Sequence, residues 1–223
     1  MAAHPEKILH LRQLLAERFG HGSVADETCW ATGFRALDEM GVPRGALSEI
    51  VSSPATGPGG SLLLYGLLHA VLGRGERVIL IDGKDSFAPT GLPQADLDRL
   101  VWVRCREAGQ AIKAADLVVR DGNVPLVIVL FTLNPAAELR RVQPTSWQRL
   151  QLLAEKSGVT LLAFVPQARM GCARLRISVN GAFPLARLHI ARDELSAGLA
   201  MHVERRRVGR RADEEDLRRA VCA

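Results

Sequence analysis

The sequence predicts an α/β fold: a mostly parallel central sheet flanked by helices and ending in a C-terminal antiparallel meander. Three observations predict it. From Ala46 to Val165, apolar stretches of strand length alternate with segments of helical period, the pattern of strand–helix–strand units. One stretch, Val124 to Leu133 (VPLVIVLFTL), is nearly continuously apolar, as a central strand covered on both faces must be. From Leu175 onward, apolar and polar residues alternate between turn residues, as in half-buried antiparallel strands.

The elements follow in order. From Glu6 to Phe19, Ile8, Leu11, Leu15 and Phe19 recur at the spacing of an amphipathic helix, with Leu14 widening the stripe and Gly20 and Gly22 ending it. A short helix around Phe34 to Met40 and a turn at Pro43, Arg44 and Gly45 lead into a strand over Ala46 to Val51. The loop Ser52 to Ser61 holds Pro54, Gly57, Pro58, Gly59 and Gly60, and the apolar run Leu62 to Leu72 after it is long enough for a buried helix. Arg77 to Asp82 reads as a strand, Gln94 to Leu100 as a short helix, Leu100 to Cys105 as a strand and Gly109 to Arg120 as a helix. Beyond the central run come a helix over Ser146 to Ser157 and a buried strand over Val159 to Val165. The meander is expected over Leu175 to Val179, Ala186 to Ile190 and Ala200 to Arg205, with turns at Asn180-Gly181 and Ser196 to Gly198. The chain thus divides into an amphipathic helix with its connector (1–25), a core domain (26–205) and a charged tail (206–223), in which Leu217 and Val221 share one helical face.

A chain of 223 residues that is 48% hydrophobic supports one well-buried domain. It carries no run of about 18 apolar residues, and Met1 to Lys7 lacks the character of a signal peptide, so a cytoplasmic protein with no membrane partner is expected. Cys29, Cys105, Cys172 and Cys222 are scattered, and the six histidines show no i, i+4 pairing, so neither a disulfide framework nor a metal site is expected. The net charge of +5 lies in Arg205, Arg206, Arg207, Arg210 and Arg211; setting those aside leaves basic and acidic residues balanced at 24 each. Such a cluster followed by Asp213 to Asp216 suits a docking segment.

Thr32-Gly33, Leu37-Asp38, Pro43-Arg44-Gly45 and Glu49-Ile50 resemble, in order and spacing, the lead-in to the ATP-binding loop of RecA-type recombinases. The likeness continues at Ile81 to Asp85 with Pro89, at Leu126 to Leu130 and at Phe164-Val165-Pro166-Gln167, and spans roughly Ala31 to Arg207. The short chain, the opening amphipathic helix and the arginine-rich end resemble the ImuA family, RecA-like accessory proteins of bacterial translesion mutagenesis. The resemblance implies a RecA-like core and a role in the DNA-damage response.

It also shows where the chain departs from the enzymes. The phosphate loop of RecA-type ATPases reads G-x-x-x-x-G-K-[ST], with a lysine on the β/γ-phosphates and a hydroxyl on magnesium. Here Ser52 and Gly57 fall at the glycine positions and Pro58 at the lysine position, ahead of Gly59, Gly60 and Ser61. The carboxylate that positions water in the family falls at Lys84, and the magnesium-side aspartate is replaced within Leu130, Phe131 and Thr132. The expectation is a degenerate loop with no catalytic residues and no cofactor, and a protein that works by binding partners.

The resemblance implies two partners, an ImuB-type polymerase-like protein and RecA. The stripe Ile8, Leu11, Leu15, Phe19 is the candidate contact to RecA or to a second copy; Arg205 to Arg207, Arg210, Arg211, Leu217 and Val221 form the candidate ImuB contact. Docking on RecA would occupy a protomer interface and limit filament growth. Arg169, Arg174 and Arg176 are candidate auxiliary DNA contacts, although few aromatics exist for base stacking. The alternatives are a cell-division inhibitor resembling SulA and a DNA-binding recombination mediator of the RecA-paralogue kind.

Overall fold

The computed structural model describes residues 29–183, 185–187 and 189–207. The helix expected over 6–19 and the tail positions Arg210, Arg211, Leu217 and Val221 lie outside the described residues. Seven strands form one sheet: β1 (Leu47–Val51), β2 (Val78–Asp82), β3 (Leu100–Arg104), β4 (Leu126–Leu130), β5 (Thr160–Val165), β6 (Leu175–Asn180) and β7 (Ala200–Arg206). Their spatial order is β3-β2-β4-β5-β1-β6-β7. All pairings are parallel except the last, β6 with β7, which is antiparallel. The fold is α/β, mostly parallel, and consistent with a RecA-like core, as the sequence predicts.

The helices are α1 (Arg35–Met40), α2 (Gly59–Gly73), α3 (Gln94–Leu97), α4 (Ala108–Asp121), α5 (Ala136–Arg141), α6 (Pro144–Ser157) and α7 (Arg192–Ala197). Strand pleating splits the apolar residues between two cores. Leu126, Ile128 and Leu130 of β4 join Ile50, Leu80, Leu162 and Phe164 beneath α2, whereas Val127 and Val129 join Leu47, Ile81, Leu161 and Ala163 beneath α4 and α6. Every residue of β4 and of β5 is buried. That explains the unbroken apolar text of β4 and of Leu161 to Val165 in β5, since neither face meets water. At full burial each large aliphatic side chain contributes about 1.5–3 kcal/mol, so this double-sided core dominates the stability of the fold.

Three expectations are corrected. First, α2 begins at Gly59, three residues before the apolar run. A 3-10 turn over Pro54–Thr56, in which the Ser53 hydroxyl accepts the Ala55 N–H, folds the loop tightly enough for Gly59 and Gly60 to become the first helical residues. Second, α5 was not expected, since six residues give too little periodicity to read. Third, the meander shrinks to the pair β6–β7, and β6 also pairs parallel with β1. Ala186 and Arg187, expected to open a strand, lie in a 3-10 turn at Leu185–Arg187, and α7 further on packs on α2. The alternation there is only five residues long, and the connection reaches α2 by a helical route that buries Ser196 and Leu199.

Candidate functional site

In a parallel sheet, strands end at a common edge, where RecA-type folds carry their chemistry. Here β1, β2, β4, β5 and β6 bring Ser52, Gly83, Phe131, Pro166 and Gly181 to that edge. Gly181 leaves the strand beside β1 and therefore faces the glycine-rich loop. Gly57 sits at φ +98°, and a Cβ added there would lie 2.3 Å from the Gly181 carbonyl oxygen and 2.9 Å from the Ala182 Cα. At Gly59 it would lie 2.9 Å from the Gly181 N and Cα, and at Gly60 2.2 Å from the Ser52 Oγ. The glycines thus let the loop seat against its own chain, with Ser52 buried and Pro58 and Ser61 exposed. Sequence spacing alone did not show the part played by Gly181.

At the neighbouring strand ends the closure is polar. Asp82 is fully buried and accepts hydrogen bonds from Ser86 N at 2.6 Å, Phe87 N at 2.7 Å, Ser86 Oγ at 3.1 Å and Lys84 N at 3.2 Å. Lys84 donates from Nζ to Glu138 Oε1 at 3.1 Å and to the Arg106 carbonyl at 3.2 Å. Glu138 Oε2 in turn accepts from Asn134 Nδ2 at 3.0 Å and from Ala108 N, the first residue of α4, at 3.3 Å. The Asn134 amide and the Lys84 ammonium hold the Glu138 carboxyl below its ordinary pKa. It is thus an anion stationed at a helix N-terminus. Asp85, at φ +54°, is gripped by both Arg104 Nε and Nη2 at 2.6 Å. Glu138 and Asn134 escaped the sequence reading, although Asn-Pro followed by a first-turn glutamate is a recognisable helix start.

The lead-in residues that carry the resemblance each hold the fold. Asp38 Oδ1 accepts from Thr32 N and Oγ1 at 2.6 and 2.7 Å, and Asp38 Oδ2 accepts from Gly33 N at 3.1 Å. Gly45 packs against Gly158 at the far edge of the sheet. Glu49 is fully buried: its Oε1 accepts from Arg169 N and Met170 N at 2.6 and 2.9 Å, and its Oε2 accepts from Arg176 Nε at 2.6 Å.

The candidate DNA and partner arginines divide by what they already touch. Arg174 is ion-paired with Glu155 and Arg176 with Glu49, both mostly buried. Arg205 donates to the Met170 carbonyl at 2.6 Å and Arg206 to the Gly41 carbonyl at 3.2 Å, while Arg206 and Arg207 are exposed. Elsewhere, an apolar groove of about 420 Å³ runs between α4 and α6 along Ile112, Leu117 and Leu150, with Leu117 65% exposed. Among the described residues no cluster of three His, Cys, Asp or Glu side chains is placed to hold a metal ion, and no helix is long and apolar enough to cross a membrane. No protein-family model matches the chain.

Proposed function

We propose that this RecA-like protein is a non-catalytic adaptor of the ImuA kind, acting in translesion synthesis during the DNA-damage response. It binds an ImuB-type polymerase-like partner and RecA, and its docking on a RecA protomer interface limits filament growth. One observation carries the reading: the loop that cradles phosphates in RecA-type ATPases is seated against Gly181 and Ala182, with Pro58 where the phosphate lysine belongs. The pairing of Lys84 with Glu138 supports it, because a cation stands where those enzymes place a water-activating carboxylate.

The test is co-purification of the tagged full chain with purified RecA, an ImuB-type protein and the division protein FtsZ, each with and without ATP and single-stranded DNA. Capture of RecA or of the ImuB-type protein in the absence of nucleotide is the expected result. Capture that requires ATP, or steady ATP hydrolysis by the purified chain, would sink the adaptor reading. Capture of FtsZ alone would replace it with a division inhibitor.

A further inference from the structure

The chain entering β6 and the end of β7 bring Arg174, Arg176, Arg205 and Arg207 into one neighbourhood, and the Arg169 backbone N–H is held by the same Glu49 that pairs with Arg176. Arg207 N donates to the Arg174 carbonyl at 2.7 Å, and Arg205 lies opposite Arg176 across the strand pair. Glu155 pairs with Arg174, and the buried Glu49 pairs with Arg176. Arg205 instead donates to the Met170 carbonyl, which Arg176 Nη2 also approaches at 3.4 Å. The Nε–H groups of Arg169 and Arg205 are shielded from solvent and meet no acceptor among the described residues. Burial and the neighbouring charges of Arg176 and Arg207 act against the charge on Arg205. Among the described residues the cluster therefore holds more positive charge and more N–H donors than the neighbouring carboxylates and carbonyls satisfy, beside a half-buried Cys172. Among the described residues β7 is the last strand of the sheet, so the cluster lies at its margin.

We infer that Arg169, Arg205 and Arg207 form a binding site for a phosphate oxyanion, either free or within a phosphodiester chain. Guanidinium forks match phosphate geometry, and several oxygens on one centre serve donors from several side chains at once. The exposed Arg207 fork meets the oxyanion first; reaching the shielded Nε–H groups requires the Arg169 and Arg205 heads to turn outward, which for Arg205 exchanges the Met170 carbonyl for the oxyanion as acceptor. Arg174 and Arg176 stay with their carboxylates and hold the platform. The inference goes beyond the adaptor reading and fails separately from it: Arg205 and Arg207 also belong to the candidate ImuB contact, but oligonucleotide and phosphate binding are read with no protein partner present.

The test uses the full chain and two probes, inorganic phosphate and a fluorescein-labelled oligothymidylate followed by anisotropy over a salt series. R205Q/R207Q should weaken oligonucleotide binding about tenfold and reduce the steepness of its log–log salt dependence by about 1.4, the share of two phosphate contacts on a single strand. R169Q, outside any strand, should weaken it without disturbing β7, while R140Q/R141Q removes equal charge from exposed α5 and should change affinity less than about twofold. Displacement of the oligonucleotide by phosphate, but not by chloride at matched ionic strength, supports the site and a phosphodiester ligand. A phosphate-dependent rise in Tm that R205Q/R207Q abolishes, without oligonucleotide binding, supports the site and a free phosphate. Equal losses in the α5 variant and the cluster variants, or no response to either probe, would overturn it. So would phosphate binding that appears only when Asp213, Glu214, Glu215 and Asp216 are neutralised, since the chain's own carboxylates would then fill the cluster.

Discussion

Two neighbouring stretches of the strand-end edge are closed by opposite means. Around β1 the loop closes by the removal of side chains: Gly57, Gly59 and Gly60 let backbone and a serine hydroxyl lie where any Cβ would collide. Around β2 and β4 the edge closes by the placement of charge: Asp82, Lys84, Asn134 and Glu138 exchange hydrogen bonds and leave one ion pair at the margin. The difference has a mechanical consequence. Backbone against backbone has no soft degree of freedom, so a substitution there must move a strand end or a helix start. A hydrogen-bonded network yields one bond at a time, and its strength follows pH.

The largest expected effect comes from breaking the first closure. In G181V, a Cβ would stand 2.4 Å from the Gly59 Cα and 2.8 Å from its N, both in the first turn of α2. We expect a loss of about 3 kcal/mol, the upper range for overpacking against atoms that cannot give way. Urea denaturation would measure it. G73A is the control, because a Cβ there meets nothing within 4 Å, and it should be neutral or slightly stabilising. Equal stability of the two variants would mean that the loop is not held by contact with Gly181.

A smaller loss is expected at the polar closure. D82N keeps the shape of a fully buried side chain but turns an amide N–H₂ toward the Ser86 and Phe87 N–H groups. One or two donors then lose their acceptor, for a cost of about 2 kcal/mol. Phe87 meets the Trp102 ring edge-on at 5.5 Å, so displacement of the 84–87 turn should also alter Trp102 fluorescence. Wild-type emission together with wild-type stability would show that Asp82 does not organise this turn.

The fold was legible because its signals are long. β4 and β5 announce burial on both faces, and α2, α4 and α6 each run for several turns. The lead-in motif was legible because Thr32, Asp38, Gly45 and Glu49 do structural work that fixes their spacing. What escaped was short or non-local. α5 and α7 have six residues each, and β6 alternates as an antiparallel strand does although one of its neighbours is parallel. The two closures join residues far apart in sequence, Gly57 with Gly181 and Lys84 with Glu138. The residue types at Pro58 and Lys84 can be read from the sequence, whereas what each segment packs against is chosen by topology.

The finest test of the comparison is the pH dependence of the second closure. Hydrogen bonds from Asn134 and Lys84, with the α4 N–H, place the folded pKa of Glu138 below its unfolded value, which is about 4.3. A depressed carboxyl contributes stability that is fully present above the unfolded pKa and is lost as pH falls through the folded one. E138Q keeps the size and one acceptor oxygen and should cost about 1 kcal/mol near neutrality. Lys84 is 39% exposed in its side chain, so K84M should cost less, about 0.5 kcal/mol. Asp116, held low by Arg149 and Arg120, gives both wild type and E138Q an acid-labile background that cancels in their difference. That difference, measured as urea midpoints from neutral to acid pH, should shrink below about pH 4 as Glu138 takes up its proton in the wild type. A difference that stays constant through the acid range would mean that Glu138 is held by shape rather than charge, and both closures would then be matters of packing.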